Sequence, residues 1–348
     1  MIRGDIKALS AYHVPDSSGL IKLDAMENPF PMPESLSKKW SECLTSVDIN
    51  RYPDADMADL REKIAKHAGV EANQILLGNG SDEIIQMITM AIDPGTCVVP
   101  APTFVMYDLI SRWFKRPVAT VPLAKDFSLN ANQFLQVCGR EKAEVVFLAC
   151  PNNPTGNLWS KETITKIAKG FDGLLVIDEA YGSFSERTHT HLLASNVLIL
   201  RTFSKVGWAG LRLGYLIGEA DSIAQLNKVR MPYNINALTQ AAASFLLDHF
   251  DTFEQQVAEI KAERERMMDA LEALNGVKTF PSQANFILIR VKDADAIFDQ
   301  LKSRGILIKN MHRAGGLLVN CLRITIGSPE ENNALLTAMD EITKGVPA

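Results

Sequence analysis

The chain reads as an α/β protein, with a large, mostly parallel, doubly wound sheet and a smaller α+β domain. The N-terminal arm and the C-terminal part build that second domain. Three observations predict this. Short, near-continuous apolar runs alternate with helical patterns between residues 73 and 217. Runs that are apolar on both faces suit a parallel sheet covered by helices on both sides. Polar clusters rich in glycine or proline stand at the ends of those runs. From about Asp248 the texture changes to one long charged amphipathic helix, followed by a second set of short elements. The expected boundaries are 1–35 for the arm, 36–247 for the large domain and 248–348 for the small one.

The elements follow in order. The arm, to about Pro33, is rich in turn formers and reads as extended. The runs QILLG, TCVVP, EVVFLAC, GLLVIDEA, NVLILRT and LGYLIG read as strands. Between them SDEIIQMITMAI, FVMYDLISRWF and KETITKIAKGF read as helices. Next comes the long helix FEQQVAEIKAERERMMDALEAL, whose charge run KAERERMMD reads as a solvated face. NFILIRV, ILIKN and CLRITIG read as strands and DADAIFDQLKSRG as a helix. A last helix opens at Ser328, with Glu330 and Glu331 in its first turn.

Composition excludes several classes of function. The 348 residues are 47% hydrophobic and 22% charged, which is ordinary globular usage with room for two domains. The net charge of −5 makes no case for nucleic acid or an anionic membrane. No apolar run approaches the roughly 20 residues of a membrane span. The first residues lack the apolar core of a secretory signal. Five cysteines (Cys43, Cys97, Cys138, Cys150, Cys321) lie far apart with no CxxC pair, the pattern of reduced thiols in a cytoplasmic protein. His189 and His191, in ERTHTHLL, read as a surface loop, and no metal site is expected.

Ligands of open α/β sheets bind at the carboxyl ends of strands. Four strand ends here carry polar groups. GNGSDE, from Gly78 to Glu83, has the chemistry of a phosphate cradle, since glycines admit a close backbone approach and free N–H groups favour an anion. An ordinary glycine turn with a Ser or Asp cap would look the same. GLLVIDEAY places Asp178 and Tyr181 after a buried strand. Asp178 there is either a cap or surface ion pair, or a carboxylate that needs a cationic partner such as a protonated ring nitrogen. PNNPTG offers the Asn153 amide in a loop stiffened by Pro151 and Pro154.

The fourth end is LRTFSKVGWAGLRLGY. Most loop lysines are solvated. Lys205, however, stands among Thr202, Ser204 and Arg212, donors suited to a phosphate. A partly desolvated amine near a fixed positive charge has a lowered pKa and can form a Schiff base with an aldehyde. Taken together, the four ends fit an aromatic aldehyde with a ring nitrogen, a ring oxygen and a phosphate. That ligand is pyridoxal 5'-phosphate. Trp208 either lines the pocket or packs.

The order GNGSDE, PNNPTG, VIDEAY, SK…GLRLGY, LRITIG resembles the fold-type I pyridoxal-phosphate-dependent aminotransferases. The arm IKLDAMENPFPMP, the RYPD at Arg51–Asp54 and CLRITIGSPEEN resemble the histidinol-phosphate subfamily within them. The resemblance implies that Lys205 carries the cofactor as a Schiff base and later moves a proton. It implies that Asp178 keeps the pyridine nitrogen protonated, that Tyr181 and Asn153 bond the ring oxygen, and that Tyr107 stacks on the ring. Ser81, Asp82, Thr202, Ser204 and Arg212 would hold the cofactor phosphate. Tyr52 of a partner subunit would reach the same phosphate, which implies a homodimer that the arm also joins. Arg323, Lys309, Tyr12 and Asn153 would bind substrate.

The implied reaction converts L-histidinol phosphate and 2-oxoglutarate into imidazole acetol phosphate and L-glutamate. A threonine-phosphate decarboxylase or an aromatic amino-acid aminotransferase is the alternative on the same fold. A cofactor-binding regulator is the alternative from another class, and the acidic balance speaks against DNA. Two departures stand out. Six residues separate Lys205 from Arg212, where many relatives have seven. Lys309 stands where many relatives carry a second arginine, keeping the charge but losing the bidentate fork.

Overall fold

The structure, a computed structural model, describes residues 1–11 and 14–344. Strands β1 (Ile21–Leu23), β2 (Ile75–Asn79), β3 (Thr96–Ala101), β4 (Val118–Pro122), β5 (Ala143–Ala149) and β6 (Leu174–Asp178) come first. They are followed by β7 (Val197–Thr202), β8 (Leu213–Ile217), β9 (Lys278–Thr279), β10 (Phe286–Arg290), β11 (Ile306–Asn310) and β12 (Cys321–Thr325). A seven-stranded sheet has the order β2-β8-β7-β6-β5-β3-β4, and a five-stranded sheet the order β1-β11-β12-β10-β9. In the large sheet the pairs from β4 across to β7 are parallel, while β8 runs against both of its neighbours.

Alternation along each strand serves two apolar layers. Leu76, Phe147, Val176, Leu198 and Leu216 face one layer, with the helices Ser81–Ala91 and Met106–Trp113. Their neighbours Leu77, Leu148, Ile177, Ile199 and Ile217 face the other, which runs on into Phe286, Leu288 and Ile324 of the second sheet. Both faces of the large sheet are therefore dry, and the second layer is shared by the two sheets.

The arm completes the small sheet. β1 pairs in parallel with β11, with Leu23 opposite Ile308. Beyond β1 the arm is held by Met26 N donating to Thr325 Oγ1 (3.0 Å) and by Asn285 Nδ2 donating to Met26 O (2.9 Å). Asn28 Nδ2 also donates to Val206 O (3.0 Å), which ties the arm to the Lys205 loop. The last helix, Pro329–Lys344, opens as expected. Ser328 Oγ accepts from Glu331 N (3.2 Å), and Glu331 Oε2 accepts from Ser328 N (2.8 Å).

The structure corrects several expectations. β4 was not among the expected strands; it lies at the sheet edge, where its terminal Pro122 is tolerated. His189 is buried rather than in a surface loop. Its backbone N–H donates to Glu179 Oε1 (2.6 Å), and Arg201 Nε holds the other carboxylate oxygen (2.9 Å). Within the run KAERERMMD, Arg264 is buried and donates to Ala284 O (3.1 Å), so that face is not wholly solvated. Of the two places left open for Trp208 the structure shows packing: it is buried and stacked on Phe203 with ring centres 4.6 Å apart.

Candidate active site

A cavity of about 380 Å³ opens beyond the carboxyl ends of β5, β6 and β7. Strand order also changes direction there: from β3 the chain goes outward to β4, then returns to β5 on the other side. That is the switch point at which open α/β sheets accept ligands.

One end of the cavity is an anion cup. Ser81 and Asp82 start their helix directly after β2, behind Gly80 at φ 82°. A Cβ at Gly80 would lie 2.6 Å from an Arg212 guanidinium nitrogen, and one at Gly214 would lie 2.6 Å from Ser81 N. Only glycine lets the arginine and the helix start close in. Arg212 Nη1 reaches Ser204 Oγ at 3.5 Å, and Ser204 Oγ lies 2.9 Å from Thr202 Oγ1. Arg212 Nη2 stands 3.9 Å from Asp82 Oδ2. Burial pushes the Asp82 carboxyl up, against the pull of Arg212 and Lys205.

The floor is Asp178. Its Oδ1 accepts from Ala180 N (2.9 Å) and its Oδ2 from Tyr107 Oη (2.6 Å). Burial raises its pKa to about 6, although both hydrogen bonds pull the other way. Among the described residues no cationic side chain is bonded to this carboxylate.

Lys205 follows β7 in a tight turn. Gly207 allows that turn at φ 122°, and a Cβ there would press on Asn28 Nδ2 at 3.1 Å. The Lys205 pKa falls to about 8, first through burial and then through the charge of Arg323, while Glu27 and Asp82 oppose the drop. Its Nζ lies 5.8 Å from the centre of the Tyr181 ring.

A polar chain leads from the cavity into the small sheet. Asn153 Nδ2 donates to Tyr181 Oη (3.2 Å), and Arg323 Nη1 donates to Asn153 Oδ1 (2.6 Å). Arg323 Nη2 donates to Asp24 O (2.8 Å), so the arm orients the arginine. Lys309 on β11 is the register partner of Arg323 on β12, and the two side chains leave the same face of the sheet.

The structure thus gathers Ser81, Asp82, Asn153, Asp178, Tyr181, Thr202, Ser204, Lys205 and Arg212 around one cavity, with Arg323 joined to it through Asn153. Tyr107 lines the same cavity. Its ring is fully buried and lies flat on Phe147, with centres 5.0 Å apart, and its hydroxyl serves Asp178. Phe104, partly exposed, borders the cavity as well and meets Tyr107 edge-on. Tyr52 is 82% exposed and stacks on Tyr233 at 4.6 Å, outside the cavity lining. Tyr12 lies outside the described residues.

Sequence reasoning missed Phe104 and Glu27. Phe104 precedes Tyr107 by three residues in the same APTFVMY stretch, so spacing alone could not rank the two rings. Glu27 stood in plain sight in the arm, but only tertiary contact brings it to the cavity.

Comparison with known proteins agrees with this geometry. Residues 18–339 match the family of class I and II aminotransferases. The chain is 46% identical over 345 residues to histidinol-phosphate aminotransferase 1 of Burkholderia lata, covering 97% of each. It is 46% identical over 344 residues to histidinol-phosphate aminotransferase of Chromobacterium violaceum, again covering 97% of each. Among solved structures it is similar to the histidinol-phosphate aminotransferase of Sinorhizobium meliloti in complex with pyridoxal-5'-phosphate. That likeness has a TM-score of 0.88 at 26% identity and covers 99% of this chain and 98% of the other.

Proposed function

The chain belongs to the class I and II aminotransferases, and from that premise we propose that it moves the amino group of L-histidinol phosphate to 2-oxoglutarate. The products are imidazole acetol phosphate and L-glutamate. The observation that carries this reading is a lysine of lowered pKa set between two separate anion-binding places. One is the cup of Ser81, Asp82, Ser204 and Arg212. The other is the pair Arg323 and Lys309. A cofactor phosphate takes the first and leaves the second for the phosphate of one substrate and a carboxylate of the other.

The residues present fit pyridoxal phosphate. Asp178 is a buried carboxylate in need of a cation, which a protonated pyridine nitrogen supplies. The glycine-lined cup has the donors and the clearance for a phosphate. Once bound, the cofactor contributes an aldehyde that holds the amino group and a ring that takes up the electron pair left when a proton departs. Lys205 Nζ would hold the cofactor, then carry the proton between the substrate α-carbon and the cofactor. Its low pKa keeps it an effective base near neutral pH. Tyr181 and Asn153 would bond the ring oxygen, and Phe104 would cover one face of the ring. Arg323, fixed by Asp24 O and Asn153, would receive the anionic end of either substrate, with Lys309 adding charge beside it.

The exposed Tyr52 would complete the cofactor cup of a second copy, making a homodimer with shared sites. We read the compartment as the cytoplasm, in keeping with five free thiols.

The test follows the visible absorbance of the cofactor-loaded protein after L-histidinol phosphate is added with no oxo acid. Bleaching, reversed by 2-oxoglutarate, supports both halves of the reaction. Loss of CO₂ from L-threonine phosphate without an acceptor would move the reading to a decarboxylase. Absence of any visible band would remove Lys205 from its role.

A further inference from the structure

The cavity has a polarity that the reaction alone does not explain. Its cationic lining groups, Lys205 and Arg212, lie toward the large sheet, and Arg323 of β12 is joined to it through Asn153, whereas the arm contributes Glu27 to the lining. Glu27 is exposed and close enough to Lys205 to favour its ammonium form. Its Oε2 pairs with Lys22 Nζ at 2.5 Å, but Lys22 also lies 3.5 Å from the buried Asp24. Two carboxylates share one ammonium, so this corner of the arm keeps a net negative charge. The backbone places it well. β1 ends at Leu23, Asp24 O anchors Arg323, and the chain then crosses the cavity mouth through Ala25, Met26 and Glu27.

A carboxylate at that mouth is ill suited to glutamate, whose charged ends are both anionic. It suits a donor with a phosphate at one end and a ring N–H or ring cation at the other, as imidazole provides near neutral pH. We propose that Glu27 is a specificity-determining residue, accepting a hydrogen bond from the imidazole of the amino donor while Arg323 and Lys309 hold its phosphate. This rests on the function proposed above and names the group that selects the ring. A charged hydrogen bond at a half-solvated mouth is worth about a factor of ten in selectivity.

The experiment compares three donors on the cofactor-loaded dimer or monomer as purified: L-histidinol phosphate, L-phenylalaninol phosphate and L-glutamate. The second keeps the phosphate and a ring but lacks the ring N–H. Glu27→Gln is expected to lower kcat/KM for histidinol phosphate about tenfold, mostly through KM, and to shift the other two by less than about threefold. Glu27→Ala, which removes the acceptor as well as the charge, is expected to lose more on histidinol phosphate alone. Equal losses on all three donors, or no loss on histidinol phosphate, overturn the assignment while leaving the proposed reaction standing. A wild-type protein that ignores histidinol phosphate overturns the reaction, and this inference with it.

Discussion

Tyr107 Oη donates to Asp178 Oδ2 across 2.6 Å, and both side chains are shut off from solvent. The tyrosine ring is clamped between Phe147 and Phe104, so its hydroxyl has little freedom to leave. It therefore fixes the carboxylate that faces the cavity, and it stabilises the charged form that burial disfavours.

Tyr107→Phe removes that donor without removing the ring. The Asp178 pKa, already raised to about 6 by burial, is expected to rise further in the cofactor-free protein, because one of the two bonds holding it down is gone. Carboxyl titration by isotope-edited infrared spectroscopy reads this directly. Turnover is expected to fall about tenfold, in line with one charged hydrogen bond. An unchanged titration midpoint would mean that the bond does not govern Asp178.

Lys205→Ala keeps the anion cup intact, so pyridoxal phosphate should still bind, through its phosphate. Transamination should fall at least about a thousandfold, since both the attachment point and the positioned base are lost. Near-normal turnover in this variant would dismiss Lys205 from both roles.

Loading with cofactor should depend on pH through Lys205. Only the neutral amine attacks an aldehyde, and burial together with Arg323 brings the pKa down to about 8. The loading rate of the cofactor-free protein should therefore climb roughly tenfold per pH unit below 8 and level off above it. Arg323→Gln removes one cause of the depression, so the midpoint should move upward. Stopped-flow absorbance reads both, and a midpoint near the ordinary lysine value in the wild type would contradict the environment described.

Gly80→Ala tests the cup. Its φ of 82° strains an alanine, and the added methyl would stand 2.6 Å from the Arg212 guanidinium. A loss of about 1–2 kcal/mol in stability is expected from the backbone. Cofactor affinity should fall because Arg212 is displaced. Chemical denaturation and a cofactor titration separate the two effects, and an unchanged affinity would place Arg212 outside the cup.

Much of this protein is determined locally and is therefore written in the chain. Runs apolar on both faces specify a buried parallel sheet, and six of the seven large-sheet strands are legible that way. The polar clusters after QILL, EVVFLAC, GLLVID and NVLILRT were legible too, because a strand end is where side chains leave the core and turn toward a ligand. Arg212, Ser204, Thr202, Lys205 and Asp178 follow from that rule. The edge strand β4 was not read, since VATVP is short and has a single buried residue, and only the sheet order gives it a partner. The buried places of His189 and Arg264 were equally invisible, because each is satisfied by partners distant along the chain or by a backbone carbonyl. That Phe104 joins Tyr107 at the cavity, with Tyr107 flat on Phe147, turned on how the start of a short helix packs against the sheet. Glu27 came to the site only when β1 paired with β11 and drew the arm across the cavity. Side-chain chemistry is a local property, but burial and company depend on residues far apart in sequence, and folding alone brings those together.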